Sequence, residues 1–131
     1  MTGRGRYTAD YVGDKQVWAY FLRSDRAHAK IGKIDTEAAR TAPGVLGIVT
    51  GSDMAAAGWK GLPAMSFFKG VGGTTVRVPS RYGLAVDRVR FVGEPVALVV
   101  AETEAQAQDA TELIAIDYED LPVYVEPNDA M

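Results

Sequence analysis

Cysteine is absent from the 131 residues, and histidine occurs once. The first absence excludes disulfides, thiolate zinc sites, iron–sulfur ligation within the chain and thiol nucleophiles. It also fits a reducing compartment. The formal net charge is only −3, so neither nucleic acid nor an anionic membrane is an expected partner. No apolar stretch approaches the roughly 20 residues of a membrane helix. The start, MTGRGRYTAD, carries arginines but no signal-peptide core after them, and reads as a solvated terminus. These absences point to a cytoplasmic protein. What is present is ordinary for a folded domain: 47% hydrophobic and 24% charged residues, in a chain long enough for one core.

Residues 16–23, QVWAYFLR, are rich in β-formers and predict a strand. Ile31 and Ile34 flank Gly32, which suggests a short strand or a bend. Asp35 is placed to cap a short helix over 36–40, which Pro43 and Gly44 end. VLGIVT at 45–50 has strand length, and Ser52 or Asp53 could cap a further helical turn through Ala57. LAVDRVRF at 84–91 can form a strand. The apolar run 96–101 suits a strand covered on both faces. Thr103 then caps a helix, with Ala107, Ala110, Leu113 and Ile114 on one side and Glu104, Gln108, Thr111 and Glu112 on the other. The helix passes into AIDYEDLP, a strand in which Ile114, Ile116 and Tyr118 alternate with polar or small residues. VYV at 123–125 makes a last extended piece. The order predicts one α/β unit with a mixed sheet and two main helices.

Residues 58–83 interrupt this pattern with six glycines, two prolines and several large apolar side chains. A loop of that length is usually functional or interacting. Phe67 and Phe68 beside Gly70 could form an exposed patch for a partner or fold back onto the domain.

Candidate chemistry is sparse. His28 has Asp25 three residues away, yet Ser24 lies too close in sequence to act as the nucleophile of a triad. GVGG at 70–73 runs into TTVRVP and opens no helix, so the context for phosphate binding is missing. DYED at 117–120 lacks the alternating ligands and turn glycine of a calcium loop, and reads as a charged strand edge. Glu94 stands between Gly93 and Pro95, directly ahead of the apolar run. Its carboxylate could accept from nearby backbone amides or meet Arg88 or Arg90, but a general acid or base would need a catalytic partner within reach, and none is obvious. A bend that leads into a buried strand is the better reading.

Six pieces in order carry a resemblance: TGRGRYTAD, LRSDRAHAKI, IDTEAARTAPGV, TGSDM, VRFVGEPVALVVAET and AQDATELIAIDYEDLPVYVEP. The chain resembles the N-terminal α/β-hammerhead domain of the molybdenum-binding large subunit in the xanthine dehydrogenase, aldehyde oxidase and aerobic carbon monoxide dehydrogenase family. The resemblance runs from Thr2 to Met131. Asp25 stands where the family often has proline, and Tyr124 where a small aliphatic residue is usual. Nothing is carried over to residues 58–82.

The resemblance implies an α/β-hammerhead with a long Gly-rich loop, excised from a much longer subunit. It implies a parent oxidoreductase with molybdopterin, and 2Fe-2S and FAD centres on the same or partner chains. Its cofactor-binding glycine segments and active-site glutamate have no match here, so no catalytic, cofactor-binding or metal-binding residue is assigned. The expected role is structural: support of the cofactor-binding domain and of subunit assembly. A free-standing binding or assembly module is the alternative. A lipoyl or biotinyl carrier would need a lysine on a tight hairpin, and Lys60 and Lys69 lie in the irregular loop.

Overall fold

A computed structural model describes residues 5–11, 13–62, 68–75, 80–126 and 128. The chain runs β1 (Trp18–Arg23), β2 (Ala29–Asp35), α1 (Glu37–Arg40), β3 (Val45–Thr50), α2 (Gly51–Ala56), β4 (Arg88–Val89), β5 (Pro95–Ala101), α3 (Glu104–Glu112) and β6 (Ala115–Asp120). The expected sheet is divided in two. One has the order β1-β5-β3 and the other β4-β2-β6, and every pairing is antiparallel.

The uninterrupted run 95–101 becomes the central strand of the first sheet because its apolar side chains have cover to reach. Ala97 and Val99 pack with Ala39 of α1, Ile48 of β3 and Ala110 and Ile114 from α3 and its exit. Val96, on the other side of β5, joins Ala29, Ala85 and Val89 in a second cluster. Ile34 and Ile116 touch both clusters and join the two sheets. Burying each of the larger side chains stabilises the fold by ~1.5–3 kcal/mol.

Strand β2 contains both features suggested around Gly32: it is a strand, and its register with β6 shifts between Ile31 and Ile34. Thr103 caps α3 as expected, its hydroxyl accepting the Gln106 N–H at 3.3 Å. The inward side of that helix differs by two residues. Thr111 is buried and Leu113 is 48% exposed. Thr111 donates its hydroxyl proton to the Gln108 carbonyl at 2.7 Å, which satisfies its polar atom and frees the rest of the side chain for burial. Leu113 is the C-cap, where the chain turns toward β6.

Three further expectations are corrected. Of residues 84–91 only Arg88 and Val89 form a strand, because the segment ahead of them leaves β2. The Asp87 carbonyl still accepts from Ile31, in line with the Lys30–Arg88 pairing, but the Ala85 N–H turns to the Pro95 carbonyl. The cap of α2 is Thr50, not Ser52 or Asp53, although Asp53 is its capping-box partner. At α1 the cap position is Thr36, while Asp35 reaches over it to accept the Glu37 N–H at 3.2 Å. Residues 123–125 lie outside both sheets, with Val125 exposed.

The Gly-rich segment is gathered by two isolated antiparallel pairings, Leu62 with Arg81 and Lys69 with Thr75. Phe68 is 82% exposed; Phe67 lies outside the described residues.

Candidate functional site

The residues that drew attention in the sequence meet most closely where the end of β1 faces the turn before β5. Gly93 adopts φ +89°, a conformation that favours glycine. That turn presents its backbone to Ser24: the Gly93 N–H binds the Ser24 carbonyl at 2.8 Å, and the Ser24 N–H binds the Glu94 carbonyl at 2.9 Å. Arg23 donates from Nη1 to the Gly93 carbonyl at 2.9 Å. The Glu94 side chain is only 13% exposed and folds back over its own turn. Its Oε2 accepts the Arg90 N–H, and Oε1 lies 3.8 Å from Arg90 Nη1. The glutamate therefore closes the five-residue turn 90–94.

His28, Asp25 and Ser24 do not converge. The His28 Nδ1–H donates to the Pro122 carbonyl at 2.8 Å, and the His28 carbonyl accepts from Leu121. Together these tie the start of β2 to the chain leaving β6. Ser24 Oγ accepts the Arg26 N–H at 2.9 Å and donates to the Arg26 carbonyl. Asp25 pairs with Arg26 at 3.4 Å.

The acidic stretch is held by cross-strand cations. Lys30 sits opposite Glu119 in the β2–β6 register and bonds it at 2.9 Å, and Arg26 lies 3.5 Å from Asp120. These pairs are exposed and each contributes about 0–1 kcal/mol. Tyr118, read in the sequence only for its alternation, ends in a buried hydroxyl with no hydrogen-bond partner among the described residues. Burial raises its pKa, and the nearby Ser24 hydroxyl and Arg26 charge only partly oppose this.

GVGG forms the tip of a turn closed by the Lys69–Thr75 pairing. The Gly70 N–H goes to Thr74 and the Gly73 N–H to Gly70. These amides face their own turn, and among the described residues no helix directly follows that could present more to an anion. Lys69 therefore stands at the base of a small hairpin, not at its tip.

One polar cleft of about 240 Å³ opens where the β2 bulge meets α1 and the start of α2. Arg40, Thr36, Thr50 and Asp53 line it. Sequence reading missed this grouping, because its members come from three elements and only the fold brings them together. Arg40 Nε donates to Thr36 Oγ1 at 3.0 Å. Asp53 Oδ2 accepts from both the backbone N–H and the hydroxyl of Thr50, at 2.8 and 2.7 Å. The Thr50 hydroxyl and then its N–H hold the Asp53 carboxyl below its ordinary pKa. A bound metallopterin would need free donors for its phosphate and ring edges. Here Arg40 Nε and the Thr50 N–H and hydroxyl already serve the frame, and the Asp53 carboxylate stands where an anion would have to sit. The cleft does not fit that group, and no cluster of three metal-ligating side chains occurs among the described residues. No helix among them is long and apolar enough to cross a membrane.

Two antiparallel sheets joined through shared isoleucines, with short helices on one side, define an α/β-hammerhead. The chain belongs to the family described as "Aldehyde oxidase and xanthine dehydrogenase, a/b hammerhead domain", whose model matches residues 2–122. It is 42% identical over 127 residues to the nicotine 6-hydroxylase large subunit of Paenarthrobacter nicotinovorans, covering 97% of this chain and 15% of that protein. It is 36% identical over 135 residues to the xanthine dehydrogenase molybdenum-binding subunit of Escherichia coli O157:H7, covering 100% of this chain and 17% of that protein. Among solved structures it superimposes on the reconstituted CO dehydrogenase from Oligotropha carboxidovorans with a TM-score of 0.84 at 35% identity, over 98% of this chain and 15% of that one. The chain thus spans about one-sixth of the length of the relatives it matches.

Proposed function

We propose that residues 1–131 form one structural, non-catalytic domain of the large subunit of a molybdopterin-dependent oxidoreductase of the xanthine, aldehyde or CO dehydrogenase type. The domain supports the neighbouring cofactor-binding domain and helps to assemble it with iron–sulfur and FAD components, in the cytoplasm. Molybdopterin is held by polypeptide beyond this domain. Membership of the hammerhead family supports the parent class. The observation that carries the structural role is the use of the polar side chains. Glu94, His28 and Asp53 each hold backbone groups of the frame in place.

The test is kinetic and uses the assembled enzyme. Glu94→Gln and His28→Gln are each expected to leave kcat/KM within a few-fold of the parent. A loss of about a hundredfold, the size of a general acid–base contribution, with the fold and molybdenum content intact would overturn the reading.

A further inference from the structure

Among the described residues, helices cover one side of the first sheet, and the other side is covered only around Val96, which lies in the second core cluster. Helices α1 and α3 lie over the side that carries Ala97 and Val99. Partners opposite each other in an antiparallel sheet point to the same side. The register places Phe21 beside Leu98 and Leu98 beside Val49, and it places Ala19 beside Val100 and Val100 beside Gly47. Beyond the buried Val96, the second side of the sheet therefore carries Ala19, Phe21, Leu98, Val100, Val49 and Gly47. None of these six belongs to either core cluster or packs against one. Phe21 is 41% exposed, and Leu98, Val100 and Val49 are half-buried.

An antiparallel sheet with one solvated side normally places polar residues there. This side has no polar residue in those six positions. It ends at the free edge of β1, next to Val17, which is exposed ahead of the strand. A flat apolar side next to an open edge strand is an association hazard unless something covers it.

We infer that this side of the β1-β5-β3 sheet is the docking surface for an apolar element of the large-subunit polypeptide that lies outside these 131 residues. The inference rests on the structural reading above and names the surface through which that role acts. Two observations select this occupant. The six positions carry no charge, so they suit an apolar polypeptide and give an acidic or nucleic-acid partner no complementary charge. About five-sixths of each relative's length lies outside the part this chain matches, and covalent linkage gives such an element a high effective concentration.

The test places a photo-crosslinking phenylalanine analogue at Phe21 in the assembled complex. A parallel variant carries it at Gln108, exposed on α3. After irradiation, denaturing electrophoresis and peptide mass mapping identify the adducts. The expected result for Phe21 is an intrachain adduct at unchanged subunit mass, to a peptide outside residues 1–131. Adducts to a second copy or to another subunit raise the mass and overturn the assignment. A silent Phe21 probe beside a reactive Gln108 probe overturns the assignment but leaves the structural role standing. Silence at both positions overturns the two together.

Discussion

The Glu94 carboxylate accepts the backbone N–H of Arg90, four residues earlier in the chain, and so closes the turn that launches β5. Gly93 at φ +89° and the paired hydrogen bonds with Ser24 complete it. Glu94→Ala removes an ionised acceptor from a backbone donor and is expected to lower unfolding free energy by ~1.5–3 kcal/mol. Glu94→Gln keeps an acceptor and is expected to cost less. Gly93→Ala adds a Cβ in the left-handed region at a cost of ~1–2 kcal/mol. Urea denaturation of the three variants checks the order. Equal stability of Glu94→Ala and the parent would contradict this role for the turn.

A second relationship joins α2 to the segment before β4. A Cβ on Gly51 would collide with the Ala85 carbonyl, which is backbone and has its own fixed neighbours. Gly51→Ala is expected to cost ~1–3 kcal/mol through forced backbone movement. Gly47 is the control, since a Cβ there meets nothing within 4 Å. Thermal melting should separate the two: a clear drop for Gly51→Ala, and little change for Gly47→Ala.

The capping box at Thr50 and Asp53 makes stability depend on pH. The Thr50 hydroxyl first, and its N–H second, lower the folded-state pKa of Asp53. A carboxylate depressed in the folded state stabilises the fold above its unfolded pKa of about 3.9. That contribution is lost as pH falls through the folded value. Acid titration of stability should therefore show a shallower loss in Asp53→Asn than in the parent. Asp35, lowered by Lys33 and by the Glu37 N–H, adds to the same acid limb. Thr50→Ala removes the cap and is expected to cost ~1 kcal/mol at neutral pH. Identical acid limbs for parent and Asp53→Asn would refute the assignment.

Strand β5 and helix α3 were legible because their signals are local. An unbroken apolar run and a threonine ahead of an alternating stretch need no knowledge of the rest of the chain. Residues 84–91 were not legible, since what limits their strand is remote: the Ala85 N–H leaves the β2 side for the Pro95 carbonyl. The division into two sheets was hidden for the same reason. It depends on long-range register and on the irregularity between Ile31 and Ile34. Thr111 read as solvent-facing, yet its spacing four residues after Ala107 and three before Ile114 puts it on the buried side, where the Gln108 carbonyl satisfies its hydroxyl. At the candidate site the Gly93–Pro95 context indicated a bend, but the Arg90 amide as the partner of Glu94 needed the folded turn. Residues 96–101 read as a strand covered on both faces: helices lie over Ala97 and Val99, Val96 on the other face is buried in the second cluster, and Leu98 and Val100 beside it are half-buried. The other face leads to the docking surface inferred above.

The central claim is that this domain is a structural part of a larger molybdenum enzyme. The most direct measurement is the intact mass and molybdenum content of the native protein, captured with an antibody to residues 1–131. The expected result is a chain several times longer, with molybdenum and co-purifying subunits. A 14.1 kDa protein without molybdenum would contradict the account and favour a domain that acts alone.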